Sequence, residues 1–277
     1  MPIRDVLLQL SSYEVPTPRW AIEEARGFSE RFDARLSAVL CHVHIPRVSN
    51  YLADKLVGAN AAIASENAKS DRNARELLSA FESLVGSERR GNQILIECCS
   101  MVTPWEAAAR ARLYDLTIVP SYGNPQTQFV TEGLAFESGR PVLLFPERGG
   151  NQHFDRIAIG WDGSRTASRA LADALPLCAR ARTVELVAVT GEKALDADTA
   201  LADARRHLAA HGIEATSIEV AAEGLDAGTV LLGHCARSGA DLLVMGAYGH
   251  SRVREFLLGG ATRSVLANPT LPVLLSH

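Results

Sequence analysis

The chain repeats itself. Asp115 to Tyr122, DLTIVPSY, recurs 126 positions later as Asp241 to Tyr248, DLLVMGAY, and in that register Gly123 falls on Gly249. The closing segments correspond too: Arg140 to Pro146, RPVLLFP, resembles Leu271 to Ser276, LPVLLS, and each comes after a helical stretch. The opening strands, Asp5 to Leu10 and Ile157 to Trp161, complete the match. A chain of 277 residues is long enough for two ordinary domains. The repeat therefore predicts two halves, 1–147 and 154–277, joined through the polar, glycine-containing stretch ERGGNQHF from Glu147 to Phe154.

Each half reads as alternating strands and helices. In the second half the apolar runs place strands at about Ile157 to Trp161, Val184 to Val189, Ser217 to Ala221, Leu242 to Met245 and Val273 to Leu275. Helices fit between them. Ser164 can cap the first, in which Ala167, Ala170, Leu171, Ala174 and Leu175 recur on one face. In the first half, Arg19 to Phe32 and a long alanine-rich stretch from about Tyr51 to Val85 read as helices, with Leu36 to Ile45 and Gln93 to Cys98 as strands. Two such βαβ halves imply an α/β fold: tandem doubly wound domains whose parallel sheets carry helices on both sides.

The stretch with most chemistry in it is Asp241 to His277. Leu242 to Met245 is an unbroken apolar run, as expected for a parallel strand buried on both faces, and Gly246 ends it. Gly249 comes three residues later, nine residues intervene, and Gly259 and Gly260 stand directly before ATRSVLA, whose residues favour a helix. The spacing is G-x2-G-x9-G-G. Glycine permits positive φ and a close ligand approach, while the first amides of a helix point outward unpartnered; together these favour a bound anion. A glycine pair that merely ends a loop and starts a helix is the plainer alternative.

These residues and their flanks resemble the universal stress proteins, whose nucleotide-binding members carry G-x2-G-x9-G followed by Ser or Thr. Here that last residue is Gly260, so a hydroxyl able to bond a phosphate oxygen is missing, although the Gly260 amide can still donate. The resemblance covers both halves, strongly in the second and weakly in the first, as in tandem members, and implies the adenine-nucleotide hydrolase-like fold. It further implies that Met245, Gly246 and Gly249 line a nucleotide, that Gly259, Gly260 and Ala261 hold phosphates by their backbones, and that Thr262 offers a nearby hydroxyl. Asp162, in IGWDGS, matches an aspartate that contacts the nucleoside; read locally it is equally a turn aspartate before a helix. Val189 matches a residue whose backbone meets adenine, although the sequence alone reads it as core. His250 can bond phosphate or be plain loop surface, and Arg252 and Arg254 can neutralise phosphate charge or simply be solvated.

The implied function is that of a cytoplasmic stress-response regulator or sensor. It binds an adenine nucleotide, ATP with Mg²⁺ foremost, in its second domain and acts through conformation or a protein partner. The first half lacks the same cradle: Pro120 stands where the second half has Gly246, Ser11 where it has Asp162, and no later glycine pair precedes its helix. Proline removes an amide donor and fixes φ. One competent and one degenerate domain are expected. The closing strands are apolar and in the family pair at sheet edges, so an intramolecular pseudo-dimer, and a further homodimer, are both open.

Other classes find less support. The charge balance, 28 basic against 32 acidic residues for a net of −4, gives no electrostatic footprint for nucleic acid, and no run approaches a membrane span. The N-terminal apolar run is short and broken by charge, unlike a signal peptide. The spacing Gly86 to Gly91 is followed by Asn92 and Gln93, so no P-loop is present; G-x-G-x-x-G opening a helix and G-x-S-x-G are absent as well. His42 and His44 can share a strand face, but two further ligands are not in view, and His207 and His211 lack the H-E-x-x-H pattern. Five cysteines without C-x-x-C spacing read as buried thiols. No general base is identified, so slow ATP hydrolysis fits the chain better than efficient turnover. The alternatives are a nucleotide-free structural or interaction module and, more distantly, a nucleotide-dependent hydrolase or adenylyl transferase.

Overall fold

The computed structural model describes residues 2–47, 58–147, 154–191, 197–247 and 260–277. They fall into two compact units, one spanning Arg4–Ser138 and the other running from Gly139 onward together with Pro2 and Ile3.

The first unit contains β1 (Asp5–Ser11), α1 (Arg19–Arg31), β2 (Arg35–His44), α2 (Ala59–Leu84), β3 (Arg90–Cys99), α3 (Pro104–Ala111), β4 (Leu116–Ser121) and α4 (Thr127–Glu137). Its strands lie in the order β3-β2-β1-β4, all parallel, with Leu7 of β1 registered between Ser37 of β2 and Thr117 of β4. β1 is buried from Val6 to Ser11, which is why it reads as a continuous apolar run instead of an alternating one. In α2, Ser70, Ala74, Leu77 and Phe81 form the buried stripe at helical spacing, and the remaining surface mixes charged residues with alanines. That helix begins at Ala59 after Gly58 in a left-handed conformation; residues 51–57 of the expected helix lie outside the described residues.

The second unit contains β5 (Val142–Pro146), β6 (Arg156–Gly160), α5 (Arg165–Cys178), β7 (Thr183–Thr190), α6 (Ala197–Ala210), β8 (Thr216–Ala221), α7 (Ala227–Ser238), β9 (Leu242–Gly246), α8 (Gly260–Ala267) and β10 (Val273–Ser276). The strand order is β5-β10-β9-β6-β7-β8, parallel throughout except that β5 runs antiparallel to β10, with Leu143 opposite Leu274. The closing strand of the first half is thus built into the compact unit of the second, and the two apolar closing strands pair within one chain. Ser164 caps α5 as its position predicts, accepting from the Ala167 amide at 3.1 Å. Leu175 departs from the expected buried face: it is only half-buried, and Leu177 and Cys178 complete the stripe.

Four cysteines are buried and Cys99 is exposed, correcting the reading of all five as buried. Cys98 and Cys99 do point to opposite sides of β3, as alternation requires. Among the described residues no helix is long and apolar enough to cross a membrane, and no group of three potential metal ligands converges. His42 is instead bridged to carboxylates, Nε2 to Asp71 at 2.8 Å and Nδ1 to Glu97 at 2.9 Å, and thereby ties α2 to the β2–β3 edge.

Candidate functional site

In the second unit β6 is flanked by β7 on one side and β9 on the other, so successive crossovers leave it in opposite directions. The carboxyl ends of β6 and β9 form a topological switch point, where open α/β sheets leave a crevice for a ligand. Asp162 lies just past β6 and is exposed. Its Oδ1 accepts the Ser164 amide at 3.0 Å, and Ser164 then caps α5, so the D-G-S sequence makes the turn that local chemistry predicts while the carboxylate stays at the strand end. Trp161 donates its indole N–H to the Ala200 carbonyl at 3.1 Å and anchors α6 beside the same end.

Met245 is buried in β9, 5% exposed, and Gly246 closes the strand opposite Ser276 of β10. The reason for glycine at 246 is packing. A Cβ there would stand 2.5 Å from the Thr166 carbonyl carbon and 2.6 Å from the Ala167 nitrogen, so the first turn of α5 could not approach β9. Its φ is not in the left-handed region. Val189, near the end of β7 and registered with Val220, is half-buried and so less enclosed than its apolar character suggests.

α8 starts at Gly260, which is exposed; Ala261 is half-buried and Thr262 is 2% exposed. What Thr262 can present at the helix start is its amide, since its side chain belongs to the interior. Among the described residues a Cβ on Gly260 would meet only the Asp226 Cβ, at 3.9 Å, an ordinary contact, so none of them requires glycine there by sterics. Gly249, His250, Gly259, Arg252 and Arg254 lie outside the described residues.

Asp226 is the residue that sequence reading passes over. It is the N-cap of α7, its carboxylate accepting the Thr229 amide at 3.1 Å and the Thr229 hydroxyl at 2.6 Å. The Ser264 hydroxyl of α8 donates to the same carboxylate. Burial opposes its ionisation, but these hydrogen bonds prevail and hold its pKa below the usual carboxylate value. Gly228 makes this arrangement possible: a Cβ there would lie 2.1 Å from the Ala261 carbonyl oxygen, so α7 and α8 begin in backbone contact. The signal was available as an N-cap residue before the apolar run VLL, but the same signal marks any capped helix.

The equivalent end of the first unit is occupied by its own chain. The Ser11 amide donates to Thr17 Oγ1 at 2.8 Å, Tyr122 donates its hydroxyl to the Val15 carbonyl at 3.2 Å and lies 3.1 Å from Thr17 Oγ1, and Asn124 Nδ2 donates to Val15 at 3.1 Å. From α2, Asn73 donates to the Ser12 carbonyl at 2.9 Å and Ser70 shares a 2.7 Å hydroxyl contact with Ser12. Pro120 is buried in β4.

The fold is that of a tandem doubly wound α/β protein with a glycine-ended strand at the second switch point and α8 opening at Gly260. The universal stress protein family model matches residues 153–277, so the second half of the chain is similar to that family. A universal stress protein from Archaeoglobus fulgidus DSM 4304 superposes over 98% of this chain and 97% of its own with a TM-score of 0.67 at 17% identity. A functionally unknown protein from Pseudomonas aeruginosa PAO1 matches at a TM-score of 0.55, 15% identity, over 99% of this chain and 92% of its own. At these identities the likeness establishes the fold. No protein of curated function matches the chain in sequence.

Proposed function

We propose that the chain is a cytoplasmic stress-response regulator or sensor whose second unit binds an adenine nucleotide, with ATP and Mg²⁺ as the foremost ligand. The observation that carries the reading is that Asp162 follows β6, Gly246 ends the neighbouring strand β9, and the exposed Gly260 opens α8, the next described helix after β9. Asp162 would bond the ribose and the Val189 backbone would face adenine. Met245, Gly246, Gly249 and His250 would line the nucleotide, with Gly259, Gly260, Ala261 and Thr262 offering amides to its phosphates. Helix-start amides suit phosphate oxygens, and Gly260 at the start of α8 is exposed. The nucleotide supplies negative charge and a handle for conformation; the chain's residues bind and orient it, and none is assigned as a base. A bound nucleotide would change the surface a protein partner reads. A homodimer in addition to the internal β5–β10 pairing is compatible with this role.

The test is calorimetric titration of ATP, ADP, AMP and cyclic AMP with Mg²⁺ into nucleotide-stripped full-length chain, beside a Gly249→Val variant checked for folding. Saturable binding lost in the variant is expected. One observation favours a second reading, the nucleotide-free interaction module: Gly246 is fully accounted for by packing on α5 and needs no ligand to explain it. Absence of binding at millimolar nucleotide would select that reading.

A further inference from the structure

We propose that the first unit carries a binding site of its own, in a cavity at the amino ends of its strands, for a small zwitterion of the α-amino-acid kind. It stands apart from the nucleotide reading, since it lies in the other unit and at the end of the sheet away from that unit's switch point. The cavity, about 230 Å³, lies between the last turns of α1, the start of β2 and the connection from α2 to β3. Buried Leu36 and Val85 give it an apolar lining, and Arg26, Glu30, Glu88 and Arg89 give it a charged one. Its volume is well above what one water needs and below the ~300 Å³ at which pockets for drug-sized ligands begin, so its occupant is small.

The charged lining says what that occupant offers. The Nε–H of Arg26 is shut off from solvent and makes no hydrogen bond among the described residues. Glu30 stands 3.7 Å from it, close enough for an ion pair and too far for a hydrogen bond. A buried donor without a protein partner carries a desolvation cost, which an acceptor delivered to Arg26 removes. Arg89 is already engaged: its hydrogen bond to Asp33 does most to raise its pKa, and the charges of Glu30 and Glu88 add to the effect. Those two carboxylates are exposed at the rim. A plain carboxylate would reach Arg26 but face Glu30 and Glu88, and a plain amine would face Arg26 and Arg89. An amino acid answers all four, with its carboxylate on Arg26, its ammonium toward Glu30 and Glu88, and a short apolar side chain against Leu36 and Val85.

The experiment is calorimetric titration of L-leucine, 4-methylpentanoate and 3-methylbutylamine, three molecules with one apolar body, into the full chain and into Arg26→Gln and Arg26→Lys. Arg26 is partly solvated on α1, so both variants should fold, and thermal unfolding checks each. Leucine should bind saturably at millimolar concentration or below. The amine should bind at least about tenfold more weakly, for want of the charge-assisted bond to Arg26, and 4-methylpentanoate about threefold more weakly, for want of the exposed pairing with Glu30 and Glu88. Arg26→Gln should lower leucine affinity at least about tenfold, and Arg26→Lys, which keeps the charge without the Nε donor, should lower it as well. No leucine binding by the wild type, or leucine binding that neither variant weakens, overturns the site. An amine that binds as well as leucine overturns the role of Arg26, and 4-methylpentanoate that matches leucine overturns the zwitterion rule. None of these outcomes bears on nucleotide binding by the second unit.

Discussion

The two switch points of this molecule share a topology and differ in what fills them. In the first unit seven residues, Ser12 to Pro18, intervene between β1 and α1, and they are tied down by Tyr122, Asn124 and, from α2, Ser70 and Asn73. In the second only four, Trp161 to Ser164, separate β6 from α5, and they make a tight turn into a capped helix. The strand across the crevice carries buried Pro120 one residue before its end in one case and ends in Gly246 in the other. The lesson is that one sheet order supports opposite uses. The length of the first βα connection and one residue near a strand end go with whether the chain itself fills the crevice.

The largest expected effect attacks that strand-end difference. Gly246→Val puts a Cβ within 2.6 Å of two α5 backbone atoms and should cost about 3 kcal/mol of stability, visible as a lower denaturant midpoint. Pro120→Ala in the first unit should cost only about 1 kcal/mol, since it removes ring carbons without forcing backbone apart. Equal losses would mean that the two strand ends are under the same constraint and the comparison is mistaken.

Gly246 also shows how far the sequence could be read. The strands were legible because buried parallel strands are continuous apolar runs, and Ser164 was legible as a cap because its hydroxyl has one local partner. Glycine is ambiguous by nature: the same letter serves ligand approach, positive φ and helix packing, and only coordinates identify α5 as the neighbour of Gly246. The allegiance of β5 was open for a different reason, since its pairing with β10 joins Leu143 to Leu274, far beyond any local pattern. Asp226 escaped notice because a cap that faces only its own helix and a cap that also touches a second helix look identical in one dimension. Leu175 and Leu177 traded places within the fitted periodicity, a slip on the α5 face at the turn that carries Pro176.

A second test targets the closure of the first crevice. Tyr122→Phe removes the hydroxyl that donates to Val15 and contacts Thr17, and should cost about 1 kcal/mol, with more if the Val15 carbonyl is left dry. Nucleotide affinity should not change. A change in affinity of tenfold or more would show that the first unit shares in ligand binding, and the division of labour between the units would fall.

The units should also differ in pH response. Burial works against charge on His42, yet hydrogen bonds to Glu97 and Asp71 outweigh it and raise its pKa above 6.5. A raised folded value stabilises fully below the unfolded value near 6.5 and is lost as pH rises through the higher folded one. Denaturant midpoints should therefore decline from mildly acid toward alkaline pH, by less than about 1 kcal/mol given the solvent around both carboxylates. His42→Gln should flatten that slope; an unchanged slope would assign the pH response to other groups.

The smallest effect bears most directly on the second crevice. Gly260→Ser restores a hydroxyl at the start of α8, and among the described residues the nearest atom to the new Cβ is at 3.9 Å, an ordinary contact. Gly260 does not occupy the left-handed region, so no backbone strain opposes the change. Stability should hold or rise slightly, because serine reduces the freedom of the unfolded chain. One added hydrogen bond to phosphate should tighten ATP binding by roughly threefold to tenfold in Mg²⁺. The gain has a condition built into it: the hydroxyl would sit beside Asp226, and if it donates to that carboxylate instead, affinity stays put while the variant becomes more thermostable. Measuring both quantities on one preparation separates the two outcomes. Affinity gained with stability unchanged places phosphate at α8, whereas stability gained alone shows that Asp226 remains the anion of that helix start.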